Sequence, residues 1–179
     1  MNKKTKSFRI TDIFCYERGK RFTEKEHIPG DVAYISSTKE NNGINNFVNP
    51  PEKNIKGSVI KIYSNCMTLS NSGSVGYLFY HDYNFIASDH VTVLWIKDKS
   101  VILNKYIALF LKPIFETMKY KYNFGREISN RNLDLESITL PIDENESPDW
   151  KYMEKYVKDL EQDIQFYSIK TKNNKTSSI

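Results

Sequence analysis

Two different hydrophobic periodicities follow one another in residues 91–118, VTVLWIKDKSVILNKYIALFLKPIFETM. The first six residues are rich in β-branched and aromatic side chains, which favour a strand. After Asn104, a favourable N-cap residue, apolar residues recur at helical spacing from Tyr106 to Met118, with Pro113 inside the pattern. A strand followed closely by an amphipathic helix predicts a fold that contains both α and β structure.

The rest of the chain is predicted to be mainly β before this helix and helical near its end. Further strands are predicted at residues 8–14, 32–35, 54–63, 77–80, 85–87 and 138–142, with a small-residue loop at 69–76. We therefore predict an α+β class, in which residues 1–148 form one β-rich domain with a packed helix. A C-terminal helix is predicted at 149–168, followed by a polar, disordered tail at 169–179.

Composition limits the possible classes of protein. The chain has 179 residues, of which 39% are hydrophobic, and this is enough to bury one ordinary core. Cys15 and Cys66 are too few and too far apart for a disulfide framework or a common metal site. No apolar run reaches the roughly 20 residues that span a bilayer, so we predict no membrane association and a cytoplasmic location. The net charge of +4 favours an anionic partner without identifying it.

Three polar segments carry side chains of the kind that read base edges in DNA: residues 39–46, within a predicted first loop at 36–46, residues 70–74 in a second loop, and residues 119–131 in a third. Asn can pair with adenine, Arg or Lys with guanine, and Ser or Thr with bases or phosphates. The same residue types also form ordinary turns, so this alternative stays open. The predicted DNA-binding residues are Lys39, Asn41, Asn42, Asn45, Ser70, Asn71, Ser72, Ser74, Lys119, Lys121, Tyr122, Arg126 and Arg131.

No catalytic or metal site is predicted. Residues 49–51, Asn-Pro-Pro, match the start of the Asn-Pro-Pro-aromatic motif of amino-methyltransferases, but Glu52 stands where the aromatic residue would be. No glycine-rich cofactor loop follows a strand. His27, His81 and His90 are scattered without a cluster of metal ligands, so we interpret them as surface or core histidines.

Several segments, taken in their order, resemble the target-recognition domain of restriction-modification specificity (S) subunits of type I and BcgI-like systems. At Val32 and Ala33 the chain lacks a proline that is usual in this family. The resemblance runs through residues 8–14, 30–37, 41–44, 71–76, 79–80, 104–110, 138–142, 148–150 and 152–153.

The resemblance implies a mixed domain that recognises half of a split DNA sequence, followed by a helix that docks methyltransferase subunits. Full-length S subunits carry two such domains and two helices, so this chain resembles a half-subunit that forms a homodimer or pairs with another half. Double-stranded DNA, a methyltransferase (M) subunit and a restriction subunit are the implied partners. S-adenosylmethionine, ATP and Mg²⁺ are expected only on partner subunits. The residues predicted to face a partner or second copy are Trp150, Met153, Val157, Leu160 and Ile164.

Three other interpretations remain open at this point. The chain could be an interaction or mimic module that docks on restriction-modification subunits without binding DNA, or a truncated recognition cassette. A small hydrolase built on Ser and His residues is the third, although no nucleophile, base and orienting residue can be assigned from the sequence.

Overall fold

The structure, a computed structural model, describes residues 3–122 and 125–176. In these residues the strands form three sheets, and two longer helices pack beside them. The elements in chain order are β1 (Thr5–Arg9), α1 (Ile10–Ile13), β2 (Phe14–Arg18), β3 (Pro29–Ile35), β4 (Ile44–Val48), β5 (Cys66–Ser70), β6 (Leu78–His81), β7 (Phe85–Ala87), β8 (Val91–Ile96), α2 (Lys105–Glu116), α3 (Asn130–Leu133), β9 (Ser137–Pro141) and α4 (Trp150–Thr176).

The centre of the fold is an antiparallel sheet with strand order β2-β8-β5-β6. A second sheet, β4-β3-β7, pairs β3 with β4 antiparallel and with β7 in parallel. The short β1-β9 pair forms a third sheet. Successive side chains of a strand point to opposite faces, so the central sheet contributes to two cores.

The two cores divide the residues of β5 and β8 between them. Met67 and Leu94 join the larger cluster, which also holds Leu111 and Phe115 of α2. Val93 belongs to the smaller cluster, with β3 and β7 of the second sheet. The amphipathic helix and the second sheet thus cover opposite faces of the central sheet.

The predicted helix is confirmed. The side chain of Asn104 accepts hydrogen bonds from the backbone N–H groups of Tyr106 and Ile107, at 3.0 and 3.2 Å. Pro113 lies inside α2. The predicted strands near residues 32–35, 77–80, 85–87, 91–96 and 138–142 correspond to β3, β6, β7, β8 and β9, while residues 8–14 contain the end of β1, the short helix α1 and the start of β2.

The predicted strand at residues 54–63 is wrong. Only isolated bridges pair Lys53 with Val59 and Tyr63 with Phe85 in this region. The side chain of Asn54 accepts hydrogen bonds from two backbone N–H groups further along the chain and so closes a turn.

A strand that the sequence did not predict lies at the centre of the sheet. β5 includes Leu69 and Ser70, which were predicted to belong to a loop. All five of its residues are buried, and it pairs with β6 on one side and β8 on the other. Its polar residue Thr68 is buried because the His81 imidazole bonds its hydroxyl.

The C-terminal helix starts as predicted and ends later. The carboxylate of Asp149 accepts a hydrogen bond from the N–H of Tyr152 at 2.9 Å and caps α4. The helix continues to Thr176, so the predicted disorder is wrong for residues 169–176. Residues 177–179 of the predicted tail lie outside the described part of the chain. Among the described residues, no helix is both long enough and apolar enough to cross a membrane.

Candidate nucleic-acid interface

The first and second predicted loops are tied together by Ser37. Its hydroxyl donates a hydrogen bond to the carbonyl oxygen of Ser72 and accepts one, 3.1 Å long, from the N–H of Ser74. Gly73 lies so close that a Cβ atom there would be 3.0 Å from the Ser37 oxygen, and its φ of +66° also favours glycine. The start of the first loop therefore packs directly on the second.

The third loop meets the second one from another side. The N–H of Ile128 donates to the carbonyl oxygen of Asn71 at 3.0 Å. A Cβ atom on Gly76 would lie 3.0 Å from the backbone nitrogen of Lys119. The three segments are far apart in the sequence, but the structure brings them together around residues 71–76.

The predicted contact residues divide into an exposed and a buried group. Ser74 is half-buried between them. The exposed residues are Lys39, Asn41, Asn42, Asn45, Lys119, Lys121, Arg126 and Arg131. The buried residues are Ser70, Asn71, Ser72 and Tyr122.

The four buried residues are a correction to the predicted site, because their side chains cannot reach a duplex. Ser70 is the last residue of β5. The Asn71 amide donates to the hydroxyl of Thr92 at 3.3 Å, and the Ser72 hydroxyl lies 2.6 Å from Nδ1 of His90. These polar side chains hold the loops in place.

Tyr122 and Lys121 share one carboxylate, that of Glu136. The Tyr122 hydroxyl donates to it, and the Lys121 ammonium lies 2.5 Å from the same oxygen. Burial raises the pKa of Tyr122 to about 12, and the bond to Glu136 contributes to the shift. Burial opposes ionisation of Glu136, but the hydrogen bonds from Lys121 and Tyr122 lower its pKa overall. Residues 123 and 124 of this predicted basic and aromatic run lie outside the described part of the chain.

The turn between β7 and β8 adds residues that the sequence did not predict. His90 is 54% exposed in its side chain and contacts Ser72 of the second loop. Arg18 donates to the carbonyl oxygen of Asp89 at 2.6 Å, and Arg21 lies 3.9 Å from the Asp89 carboxylate. The only signal for these residues in the sequence is the adjacent pair Asp89 and His90, between two predicted strands. Their position beside the second loop becomes apparent only when β5 is paired with β8.

The tip of the first loop is anchored to β6 and to the turn after it. The Asn42 amide nitrogen donates to the carbonyl oxygen of Tyr80 at 2.9 Å and to the Tyr83 hydroxyl at 3.1 Å. His81 is fully buried, 2.8 Å from the Thr68 hydroxyl through Nε2. This burial confirms His81 as a core histidine, and it lowers the pKa of the ring to about 3.

The predicted partner face of α4 is only partly exposed. Met153 is fully buried in the larger core, and the Trp150 ring packs edge-on against Phe14 with centroids 6.4 Å apart. These two residues hold the helix to its own domain, which corrects their predicted role. Leu160 is 43% exposed and Ile164 is 66% exposed. They line an apolar groove of about 830 Å³ between α2, β9 and α4.

Comparison with known proteins identifies the family. The type I restriction modification DNA specificity domain matches residues 2–174. The chain belongs to this family. One specificity-domain relative is the type II restriction enzyme BgcI specificity subunit S.BcgI of Heyndrickxia coagulans. It is 31% identical over 157 residues, which cover 88% of this chain and 43% of the relative. The resemblance deduced from the sequence is confirmed.

Solved structures of specificity subunits share the fold. The S subunit of a type I restriction-modification system from M. genitalium superposes with a TM-score of 0.63 at 16% identity, over 94% of this chain and 42% of that chain. The HsdS subunit from Thermoanaerobacter tengcongensis gives a TM-score of 0.59 at 12% identity, over 90% of this chain and 38% of that chain. The predicted α+β class is confirmed, and this specificity domain spans less than half the length of these proteins.

Proposed function

We propose that this specificity domain recognises a DNA sequence through the surface where its three polar loops meet. The observation that supports this most directly is the junction of the loops, in which Ser37 bonds the second loop and Asn71 bonds the third. We call this junction and its exposed side chains the recognition surface. Its proposed DNA contacts are Lys39, Asn41, Asn45, Ser74, Lys119, Lys121, Arg126 and Arg131, with His90 beside them.

The side chains of the recognition surface suit two different tasks. The Lys and Arg residues carry the charge that neutralises phosphates, and the Asn side chains offer the paired donor and acceptor that match adenine. Replacing Lys119 by Ala should weaken binding to all duplexes and reduce the salt slope by about one. The matched control is Lys151→Ala, which changes an exposed lysine on α4. This variant should bind DNA as the unmodified chain does.

The domain would act as the specificity component of a restriction-modification system. Membership of the specificity-domain family supports this role. Partner methyltransferase and restriction subunits would supply methylation, any cleavage, and the sites for S-adenosylmethionine, ATP and Mg²⁺. This chain itself would carry no catalysis and no cofactor, and a protein that acts on the genome in this way would work in the cytoplasm.

Pairing with a second specificity domain would use the outer part of α4. Leu160 and Ile164 are exposed along the apolar groove, and such a stripe on a helix is suited to packing against another helix. Two identical copies related by a two-fold axis would read a symmetric, bipartite site.

The role in methylation is tested by mapping adenine and cytosine methylation across the source genome, with the gene intact and deleted. The expected result is that methylation disappears from one split motif when the gene is deleted. A palindromic motif would indicate a homodimer. Reintroducing the gene should restore the motif. If every motif persists, the chain does not direct methylation, and a docking module that does not read DNA becomes the better explanation.

A further inference from the structure

The tip of the first loop has a backbone conformation that is rare outside glycine. Asn41, Asn42 and Gly43 follow one another with φ values of +47°, +55° and +81°. Gly43 is pressed against the sheet, since a Cβ atom there would lie 3.2 Å from the side chains of Ile35 and Phe79. Strained non-glycine residues persist only where the surrounding structure fixes them, and they are frequent at ligand contacts.

The Asn42 amide has no hydrogen left for a base. Its nitrogen carries two hydrogens, and it donates to the Tyr80 carbonyl at 2.9 Å and to the Tyr83 hydroxyl at 3.1 Å. Paired recognition of adenine needs one amide hydrogen together with the amide oxygen. Asn42 could therefore read adenine only by giving up one of its two anchors.

A chain of hydrogen bonds connects this anchor to the core. The Tyr83 oxygen accepts from Asn42, so its own hydrogen can be donated to Nδ1 of His81, 2.9 Å away. The proton of the imidazole then lies on Nε2 and is donated to the hydroxyl of Thr68 at 2.8 Å. Both His81 and Thr68 are buried in the strands of the central sheet. The anchor thus ends among buried residues of the central sheet.

Asn41 differs from Asn42 in the hydrogen bonding of its side-chain amide. It is exposed, and no hydrogen bond described for residues 3–122 and 125–166 uses its amide. We infer that Asn41 reads an adenine edge in the DNA, and that Asn42, with Tyr83 and His81 behind it, is a positioning residue that fixes Asn41. The inference rests on the proposed recognition of DNA and narrows it to one residue and one base.

The experiment uses the full chain and a pool of duplexes with a randomised segment, from which bound molecules are selected and sequenced. Glycine replaces Asn41, Asn42 or both, because glycine accepts the positive φ and removes only the side chain. In Asn41→Gly the preference for adenine at one position of the motif should fall about 10- to 100-fold, while other positions are unchanged. The control Asn145→Gly changes an exposed asparagine near α4 and should leave the whole motif unchanged.

The positioning role predicts that the two replacements are not additive. Asn42→Gly should lose the preference at the same position as Asn41→Gly, and the double variant should lose no more than the Asn41 variant alone. Tyr83→Phe removes the link to His81 but keeps the bond to the Tyr80 carbonyl, so it should weaken the same position less strongly.

Three results would overturn the inference, and they differ in what they leave standing. If the unmodified chain selects a motif and Asn41→Gly keeps every base preference, the reading role fails but the proposed function survives. If Asn42→Gly weakens all positions equally and adds to the effect of Asn41→Gly, Asn42 has only a structural role. If the unmodified chain selects no motif, the proposed function itself fails.

Discussion

Acid is expected to destabilise this fold through His81. The ring is buried, and burial lowers its pKa from 6.5 to about 3. In the unfolded chain the imidazole titrates near its ordinary pKa, so below about pH 6.5 the unfolded state binds a proton that the folded state does not. The free energy of unfolding should therefore fall from pH 6.5 down to pH 3. Relative to pH 8, the loss is about 1 kcal/mol at pH 5.5 and about 3 kcal/mol at pH 4.5.

The assay is urea unfolding, followed by circular dichroism, of the unmodified chain and His81→Gln between pH 8 and pH 4.5. Glutamine retains an amide that can face Thr68 but cannot be protonated in this range. Titration of the carboxylates is common to both proteins, so it cancels in the difference between the two curves. The stability advantage of the unmodified chain should shrink by the amounts above as the pH falls. Two curves that stay parallel over the whole range would refute the buried, neutral imidazole.

Three further predictions concern the loops and the helix. Ser37→Ala removes the link between the first and second loops, and should lower the free energy of unfolding by about 1 kcal/mol and weaken binding of the selected motif in a DNA titration. Glu136→Gln releases Lys121, so affinity for all duplexes should rise and the salt slope should steepen by about one in titrations at several salt concentrations. An unchanged slope would contradict this. Leu160→Asp should shift a paired chain towards monomer in sedimentation equilibrium, whereas Gln162→Asp, also exposed, should not.

The parts of the fold that could be predicted from the sequence are those whose signals are local. Asn104 and the apolar spacing that follows it are sufficient to define α2, because a cap and a 3.6-residue period need no distant partner. Asp149 defines the start of α4 for the same reason. The end of α4 has no such signal, since its last turns are polar and carry no capping residue that marks a stop.

The strand predicted at residues 54–63 and the strand found at residues 66–70 show where local signals fail. The first segment has the stronger strand propensity, but it finds only isolated bridges. The second is the sequence CMTLS, whose last two residues were predicted to begin a loop, and it became the strand with partners on both sides. Which segment occupies the centre of a sheet depends on pairing with strands elsewhere in the chain, and propensity does not contain that information.

The three loops were predicted as contact regions, but the individual roles of their residues were not predicted. Residue type alone treats Ser72 and Ser74 alike, whereas the structure buries the first against His90 and leaves the second half-exposed. Likewise, Asn41 and Asn42 are identical in type and adjacent in sequence, and only the bonds of the Asn42 amide separate them. These differences arise from contacts with Tyr80, Tyr83 and His90, which lie 38, 41 and 18 residues away in sequence from the loop residues that they bond.

A loop that discriminates between bases must hold its reading side chain within a few tenths of an ångström, and a polar loop can do so only if some of its polar groups are bonded to the core. Its polar residues must therefore divide into anchors and readers. An anchor such as Asn42 or Asn71 bonds the structure behind it, so changing it disturbs the reader that it positions. The side-chain amide of a reader such as Asn41 makes no hydrogen bond described for residues 3–122 and 125–166, so changing it affects one base and leaves the fold intact. New DNA specificities should therefore arise by substitution at exposed positions of the recognition surface while its buried polar residues stay the same.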